Sequence, residues 1–382
     1  MNNKPRYAEG TIRYMVVDLL HITAVITPRT YKLFDKPYMA NTICKMKKEG
    51  VIEKNKNEEV FECFNLLNYD DNVNNHFDLP YIDYEYFQKY GKADLKRAKY
   101  AKGNKKGNST RIVRNAEMII LMYTAKINAL PSQIIDKADR QIKATYYTSR
   151  DIKRNAGYKD DLYESDENKK ILIATRVNGT LITEGVNYNI YHIGKDLQLW
   201  NATGEYKIKT QIENMLAKEM KENCKLDDAI LYTYNYNVFM QLLKKSSSGI
   251  KFDALANTYQ HIYVLPYSNA GRDMTYLMTK PDWDVQIKEM AMEEKYEEDK
   301  NFEYACDYYK DGTYTFIFCV PDIKRYILFL RKVIYDISRG LKTKNDFMIL
   351  CFDYQEEFVL KTADKYANVL SCSLNEFMKD FR

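Results

Sequence analysis

Thr42-Ile-Cys-Lys-Met-Lys-Lys-Glu-Gly-Val-Ile-Glu-Lys54 decides how the front of this chain is read. Met39, Ile43 and Met46 recur at spacings of three and four, so Tyr38–Glu49 reads as an amphipathic helix. Asn41, Thr42, Lys45 and Lys48 fall on its more exposed side. Gly50 sits where a left-handed residue would end that helix. Two short β-prone runs follow, Val51–Glu53 and Val60–Leu66, separated by the polar Lys54-Asn-Lys-Asn-Glu58. Upstream, Ile12, Met15, Val16, Leu19 and Leu20 mark a first amphipathic helix. Thr27-Pro28 predicts the start of a second short helix, with Thr27 as N-cap and proline at the first helical position, where its missing N–H costs nothing. Asp35-Lys36-Pro37 predicts a turn.

Helix, helix, turn, helix, then a hairpin with a polar tip is the layout of a winged helix. Thr42–Lys54 resembles the junction between recognition helix and wing in winged helix-turn-helix proteins. The resemblance covers roughly 55 residues, from about Thr11 to Leu67. It implies that the third helix lies in the DNA major groove, with Asn41, Thr42 and Lys45 at base edges or phosphates. Lys36 then sits at the helix N-terminus, Lys48 on the same helix, and Lys54 and Lys56 on the wing. The competing use of such a module is protein contact.

Charge is unevenly spread. The whole chain carries only +5, but Gln88–Arg114 holds ten Lys or Arg against Asp94 alone, or +9. Lys96, Arg97, Lys99, Lys102, Lys105, Lys106, Arg111 and Arg114 are the candidate phosphate contacts there. Such contacts position a protein on DNA without reading sequence, and they make binding salt-sensitive. A solvated lysine-rich segment with no ligand is the alternative. Gly91–Thr110 is poor in apolar residues and predicts a linker. Glu289–Asp311 is the counterweight, with nine acids against three lysines, or −6.

Helical spacing resumes at Arg111–Asn128, with Ser109 or Thr110 as cap. Beyond it, strand-like runs at Ile171–Thr175, Gly179–Thr183, Tyr188–Ile193 and Leu197–Trp200 precede a helix at Gly204–Lys221. Further strands and helices alternate to the end: Ala229–Tyr234, Phe239–Leu243, His261–Leu265, Tyr314–Val320, Asp322–Ile337, Phe347–Phe352 and Leu374–Asp380. Alternation of this kind predicts a mixed α/β body. The expected fold is α+β overall: a winged helix-turn-helix in residues 1–68, a polar and basic linker over 69–110, and a mixed α/β domain over 111–382. Residues 276–311 are expected to form an exposed, acidic helical insertion.

A length of 382 residues suits two or three domains. No apolar run approaches the roughly 18–20 residues of a membrane span, and Met1-Asn-Asn-Lys-Pro-Arg6 carries no apolar signal region. A cytoplasmic protein without membrane partners is expected. Seven cysteines (44, 63, 224, 306, 319, 351, 372) form no CxxC pair and are expected to pack as small apolar residues. With histidines only at 21, 76, 192 and 261, no metal site is proposed from spacing.

Signatures of catalysis are sparse. The chain has no histidine pair of the relaxase type, no GxxxxGK[ST] phosphate loop and no GxSxG elbow. A carboxylate-based, Mg²⁺-dependent nuclease would need an Asp and a Glu-x-Lys near strand ends. Glu205-Tyr206-Lys207, Asp273 and Asp322 are the available candidates, each equally suited to a structural role. Thr175–Leu181 and Asn187–Tyr191, taken with the front block, resemble the replication-relaxation family of plasmid and conjugative-element proteins, which is similar to the MobC-type relaxases. That resemblance implies a DNA-binding protein of a mobile genetic element, acting in DNA transfer, replication initiation or its regulation. Its expected partners are double-stranded DNA and other proteins of the same element; no cofactor is expected, and Mg²⁺ enters only under the nuclease reading. The alternatives are a relaxase or endonuclease of the restriction-endonuclease-like type, and a transcriptional regulator or scaffold with a protein-binding body.

Overall fold

A computed structural model describes residues 11–23, 25–34, 36–56, 62–66, 106–129, 144–149, 176–195, 197, 200–220, 224–243, 252–293 and 304–381. The chain is mixed α and β and divides into two compact units, Met1–Thr148 and Ser149–Arg382. The expectations for Asn68–Leu79, Tyr81–Tyr90, Ile171–Thr175 and the cations at 96, 97, 99, 102 and 105 lie outside the described residues.

In the first unit, α1 (Ile12–Thr23) buries Val16, Val17, Leu19 and Leu20. A 3₁₀ turn at Thr30–Leu33 stands where a helix was expected after Thr27-Pro28. Thr27 does not cap it with its side chain: the hydroxyl instead donates to Glu117 Oε1 at 2.8 Å, and only the Thr27 carbonyl accepts from Thr30 N–H. α2 (Met39–Lys48) buries Met39, Ile43 and Met46, as the spacing predicts. Gly50 ends it at φ +72°. Val51 N–H bonds to the Met46 carbonyl and Gly50 N–H to Lys47, the paired bonds of a Schellman motif.

That turn feeds β1 (Ile52–Lys56), which pairs antiparallel with β2 (Glu62–Leu66), Ile52 opposite Leu66 and Lys56 opposite Glu62. Lys54 and Lys56, expected in the tip between strands, are therefore ladder residues of β1. The helix expected from Arg111 starts five residues earlier, as α3 (Lys106–Thr124). Ser109 and Thr110 are inside it rather than capping it, and the expected 110/111 boundary falls within this helix. α3 is apolar on most of its circumference from Met118 to Met122, and it packs on α1 and the 3₁₀ turn. The buried Glu117 is held by the Thr27 hydroxyl and faces Arg29 across 3.8 Å. Beyond α3, Asn128 is bridged to Thr145 at the start of β3 (Thr145–Thr148).

The second unit carries two mixed sheets. In the first, β4 (Gly179–Ile182) lies antiparallel to β5 (Tyr188–Gly194). β5, β6 (Asp228–Thr233) and β7 (His261–Pro266) then run parallel, in that spatial order. Every residue of β5 and β6 is buried, which marks strands covered on both faces. The β5–β6 connection is α4 (Ala202–Met220); β6 and β7 are joined through short helices α5 (Met240–Leu243) and α6 (Phe252–Ala256). α7 (Asn269–Leu277) and α8 (Trp283–Met292) follow β7.

In the second sheet, β8 (Tyr308–Lys310) is antiparallel to β9 (Thr313–Ile317), and β9, β10 (Phe347–Phe352) and β11 (Asn368–Cys372) are parallel. Their crossovers are α9 (Ile323–Ser338) and α10 (Asp353–Ala363), with α11 (Leu374–Asp380) last. α9 buries Ile323, Tyr326, Ile327, Leu330 and Val333, a helical stripe pressed on the sheet. The two sheets meet where Val264 N–H bonds to the Pro321 carbonyl and Tyr263 bridges Asp322.

Two further expectations are revised. Leu197 and Trp200 belong to no strand; Trp200 is buried just before α4. The stretch from 276 is not an exposed insertion in its described part, because Trp283 and Ile287 of α8 are buried and Tyr308–Lys310 is a strand. No helix among the described residues is long and apolar enough to cross a membrane.

Candidate nucleic-acid interface

α2 is two-faced. At about 100° per residue, Met39, Ile43 and Met46 project within roughly 60° of one another. Asn41, Cys44, Lys45 and Lys48 project from the opposite side, and all four are exposed. Thr42 lies on the flank and is half-buried. The helix contains no acidic residue, and its last turn carries Lys45, Lys47 and Lys48. Lys36 is exposed just ahead of it, next to the outward-facing Tyr38. Glu49, immediately after the helix, is taken up by Arg13 of α1 through two bonds of 2.9 and 2.7 Å. That fork neutralises the nearest carboxylate and leaves the lysines as the face's charge.

Of the remaining predicted contacts, Lys54 and Lys56 are residues of β1, in register with Phe64 and Glu62 of β2. Lys106 opens α3. Arg111 and Arg114 are half-buried on α3, and burial pulls the Arg111 guanidinium below its usual range. These two arginines serve the packing of α3 rather than extending from a linker. Sequence spacing missed Lys47, because on a wheel it flanks the buried stripe instead of opposing it.

The carboxylates singled out for catalysis have structural partners. Glu205 is buried in the first turn of α4 and accepts a 2.7 Å bond from the Tyr191 hydroxyl. That hydroxyl also meets Tyr259 at 2.8 Å, Asn189 donates to Tyr259 at 2.9 Å, and Thr180 donates to Asn189 at 2.9 Å. Burial pushes the Glu205 carboxyl up, against the opposing pull of Tyr191 and the Arg176 charge. Asp273 is buried beside Arg272, which bonds it at 2.9 Å. Asp322 caps α9, accepting from the backbone of Lys324 and Arg325, while its other oxygen meets His261 Nδ1 at 2.7 Å.

The histidine pair is part of a cluster that the sequence did not reveal. Asp228 and His261 are register neighbours at the starts of β6 and β7. Burial raises Asp228 to about 6, although His261 opposes the shift with its charge and its backbone N–H. The bond to Asp322 raises His261. Tyr188, Tyr263 and Trp283 close over them, with the indole donating to the Tyr188 hydroxyl at 3.0 Å. Ligand crevices of parallel sheets open at the carboxyl ends of strands. This cluster sits at the amino ends and fastens β6, β7 and α9 together. Among the described residues, no group of three or more His, Cys, Asp or Glu is arranged to hold a metal ion.

No protein-family model, curated protein or solved structure matches this chain.

Proposed function

We propose that α1, the 3₁₀ turn, α2 and the β1–β2 hairpin act as a winged helix-turn-helix that binds double-stranded DNA. On this reading α2 enters the major groove, Asn41 and Lys45 reach base edges or phosphates from its outer face, and Lys54 and Lys56 contact the backbone from the hairpin. The cations from Lys89 to Lys105 add sequence-independent grip. The protein then serves DNA transfer or replication initiation of a plasmid or conjugative element; that part rests on the sequence resemblance at Thr175–Leu181 and Asn187–Tyr191.

The observation that carries the reading is the outer face of α2, acid-free and joined by a tight turn to a lysine-bearing hairpin. A helix dipole accounts for Lys45, Lys47 and Lys48, since cations are favoured near a helix C-terminus. It does not account for Lys36, which stands at the positive end, where a cation is disfavoured. An anionic ligand along the whole face favours all four.

The test is a fluorescence-anisotropy titration of the full chain with random duplex DNA at low and near-physiological salt, followed by selection of a preferred site. Binding that weakens steeply with salt is expected. Replacing Asn41, Thr42 and Lys45 together by alanine should erase site preference while salt-sensitive binding to random duplex persists. Absence of binding at low salt, or unchanged preference in the triple variant, overturns the proposal.

A further inference from the structure

We propose that Cys372 and Cys319 form a thiol–disulfide site at the carboxyl end of the β8–β11 sheet, with Cys372 as the peroxide-reactive thiol and Cys319 as the thiol that resolves it. The inference stands apart from the DNA reading, because it concerns only the second unit.

The placement is a product of the topology. Cys372 is the last residue of the edge strand β11 and is exposed. Cys319 follows the end of β9 and is fully buried. β10 lies between those strands, so residues at equal height on β9 and β11 would be too far apart to bond: two strand spacings come to roughly 9.5 Å. The chain leaving β9 removes that separation. Phe318 N–H still bonds to the Leu350 carbonyl at 2.7 Å, so the chain stays against β10 for one residue past β9 before it turns. Beyond that point Cys319 Sγ lies 3.9 Å from Cys372 Sγ, and Cys372 Sγ also lies 3.6 Å from the Cys351 carbonyl.

An exposed thiol beside a buried one divides the labour of oxidation. The contact with the Cys319 thiol draws the Cys372 thiol below its usual range, against burial and the charge of Asp353. Burial keeps Cys319 protonated. Thiolate character and access make a cysteine reactive toward peroxide, and a neighbouring thiol diverts the product from irreversible oxidation.

The chemistry balances with hydrogen peroxide as the oxidant. The Cys372 thiolate attacks one peroxide oxygen; the O–O bond breaks, hydroxide leaves, and Cys372 becomes a sulfenic acid. Cys319 then loses its proton and attacks the sulfenic sulfur, forming the S–S bond and expelling hydroxide, which takes that proton as water. Two thiols and one peroxide yield one disulfide and two waters. Closing the sulfurs from 3.9 Å to the roughly 2.05 Å of a disulfide requires movement chiefly at Cys372, on the open edge of the sheet.

The experiment treats the reduced full chain with hydrogen peroxide, blocks remaining thiols, and follows intact mass and peptide maps. Loss of two hydrogen atoms with a peptide joining Cys319 to Cys372, reversed by dithiothreitol, is expected. Cys372→Ser should abolish the cross-link. Cys319→Ala should leave Cys372 as a sulfenic acid that dimedone traps. Cys319 is buried, so if its variant fails to fold, the wild-type map and the variant at the exposed Cys372 still decide. No cross-link, a cross-link through Cys351, or progression of Cys372 to sulfinic acid at the peroxide level expected to close the pair overturns the proposal.

Discussion

Asp228→Asn separates two opposing effects at the starts of β6 and β7. Burial favours the neutral carboxyl, while the charge and backbone N–H of His261 favour the carboxylate. Burial wins, raising the group from 3.8 to about 6. A carboxyl whose folded pKa is raised contributes stability below its unfolded pKa and loses it as pH climbs through the folded one. The full swing is about 2.2 pK steps at 1.36 kcal/mol each, or about 3 kcal/mol. Only 5% of the residue is exposed, so solvent screening takes little from this figure. Between pH 5 and pH 6.5 the two-pKa expression gives a loss of about 1.2 kcal/mol. Asparagine keeps an oxygen to accept from the His261 backbone and has no proton to lose.

The assay is thermal unfolding of wild type and Asp228→Asn at half-unit steps across that window. For a unit of this size, 1 kcal/mol moves Tm by about 2–4 °C, so wild type should lose about 2–5 °C relative to the variant between pH 5 and pH 6.5. His261 changes the absolute curves in the same sense, since its raised pKa also makes stability fall as pH rises through it. The wild-type-minus-variant difference over the acid side of that titration reports mainly Asp228. Parallel curves would refute the burial argument. A wild type that gains on the variant with rising pH would show that the ion pair with His261 outweighs desolvation.

Asp322 joins two roles that substitution can split. Asp322→Ala removes the cap of α9 and should cost about 0.5–2 kcal/mol, whereas Asp322→Asn keeps an acceptor for Lys324 and Arg325 and should cost less. Both variants should lower the His261 pKa, read by NMR titration of the imidazole; an unmoved His261 would contradict the 2.7 Å pairing. Gly271→Ala should destabilise the second unit, because an added Cβ would lie 3.0 Å from the Pro266 carbonyl carbon and nearer still to its oxygen. Both are backbone atoms, so α7 must shift from β7, at about 1–3 kcal/mol; an unchanged Tm would refute that close approach.

What the sequence made legible depends on how local the cause was. The buried face of α2 is written in Met39, Ile43 and Met46, and Gly50 marks its end, because periodicity and left-handed turns are local facts. The strands β5, β6, β9 and β10 were legible as β-branched and aromatic runs for the same reason. The 3₁₀ turn at Thr30–Leu33 was not. A threonine before a proline predicts a cap, but the Thr27 hydroxyl is claimed by Glu117, ninety positions away. The start of α3 was hidden by composition: Lys106-Gly-Asn-Ser-Thr110 reads as linker, yet the chain is helical there, joined to a strongly apolar segment that packs on α1. Glu205, Asp273 and Asp322 looked equivalent in sequence. Their partners Tyr191, Arg272 and His261 distinguish them, and two of those three are distant in the chain. The thiol pair was illegible for a like reason, since Cys319 and Cys372 meet only after two crossovers.

The salt dependence of DNA binding can apportion affinity between α2, the hairpin and the basic run, because each neutralised phosphate adds about 0.9 to the slope of log K against log salt. Lys36, Lys45, Lys47 and Lys48 together can give a slope no steeper than about −3.6, and Lys54 and Lys56 extend that limit to about −5.4. The seven cations at 89, 92, 96, 97, 99, 102 and 105 would extend it to about −11.7 if all were engaged. A slope beyond −5.4 therefore requires the basic run, whereas a slope near −3 is within reach of either the face of α2 or the run, and lysine substitution on α2 tells them apart. Lys36→Ala with Lys45→Ala and Lys48→Ala should flatten the slope by about 2.7 where the face of α2 is engaged. Between 50 and 200 mM salt that change alone is worth about 40-fold in relative affinity. If the triple variant keeps the wild-type slope while binding weakens, those lysines do not touch phosphate, and the face of α2 is supporting a contact made elsewhere in the chain.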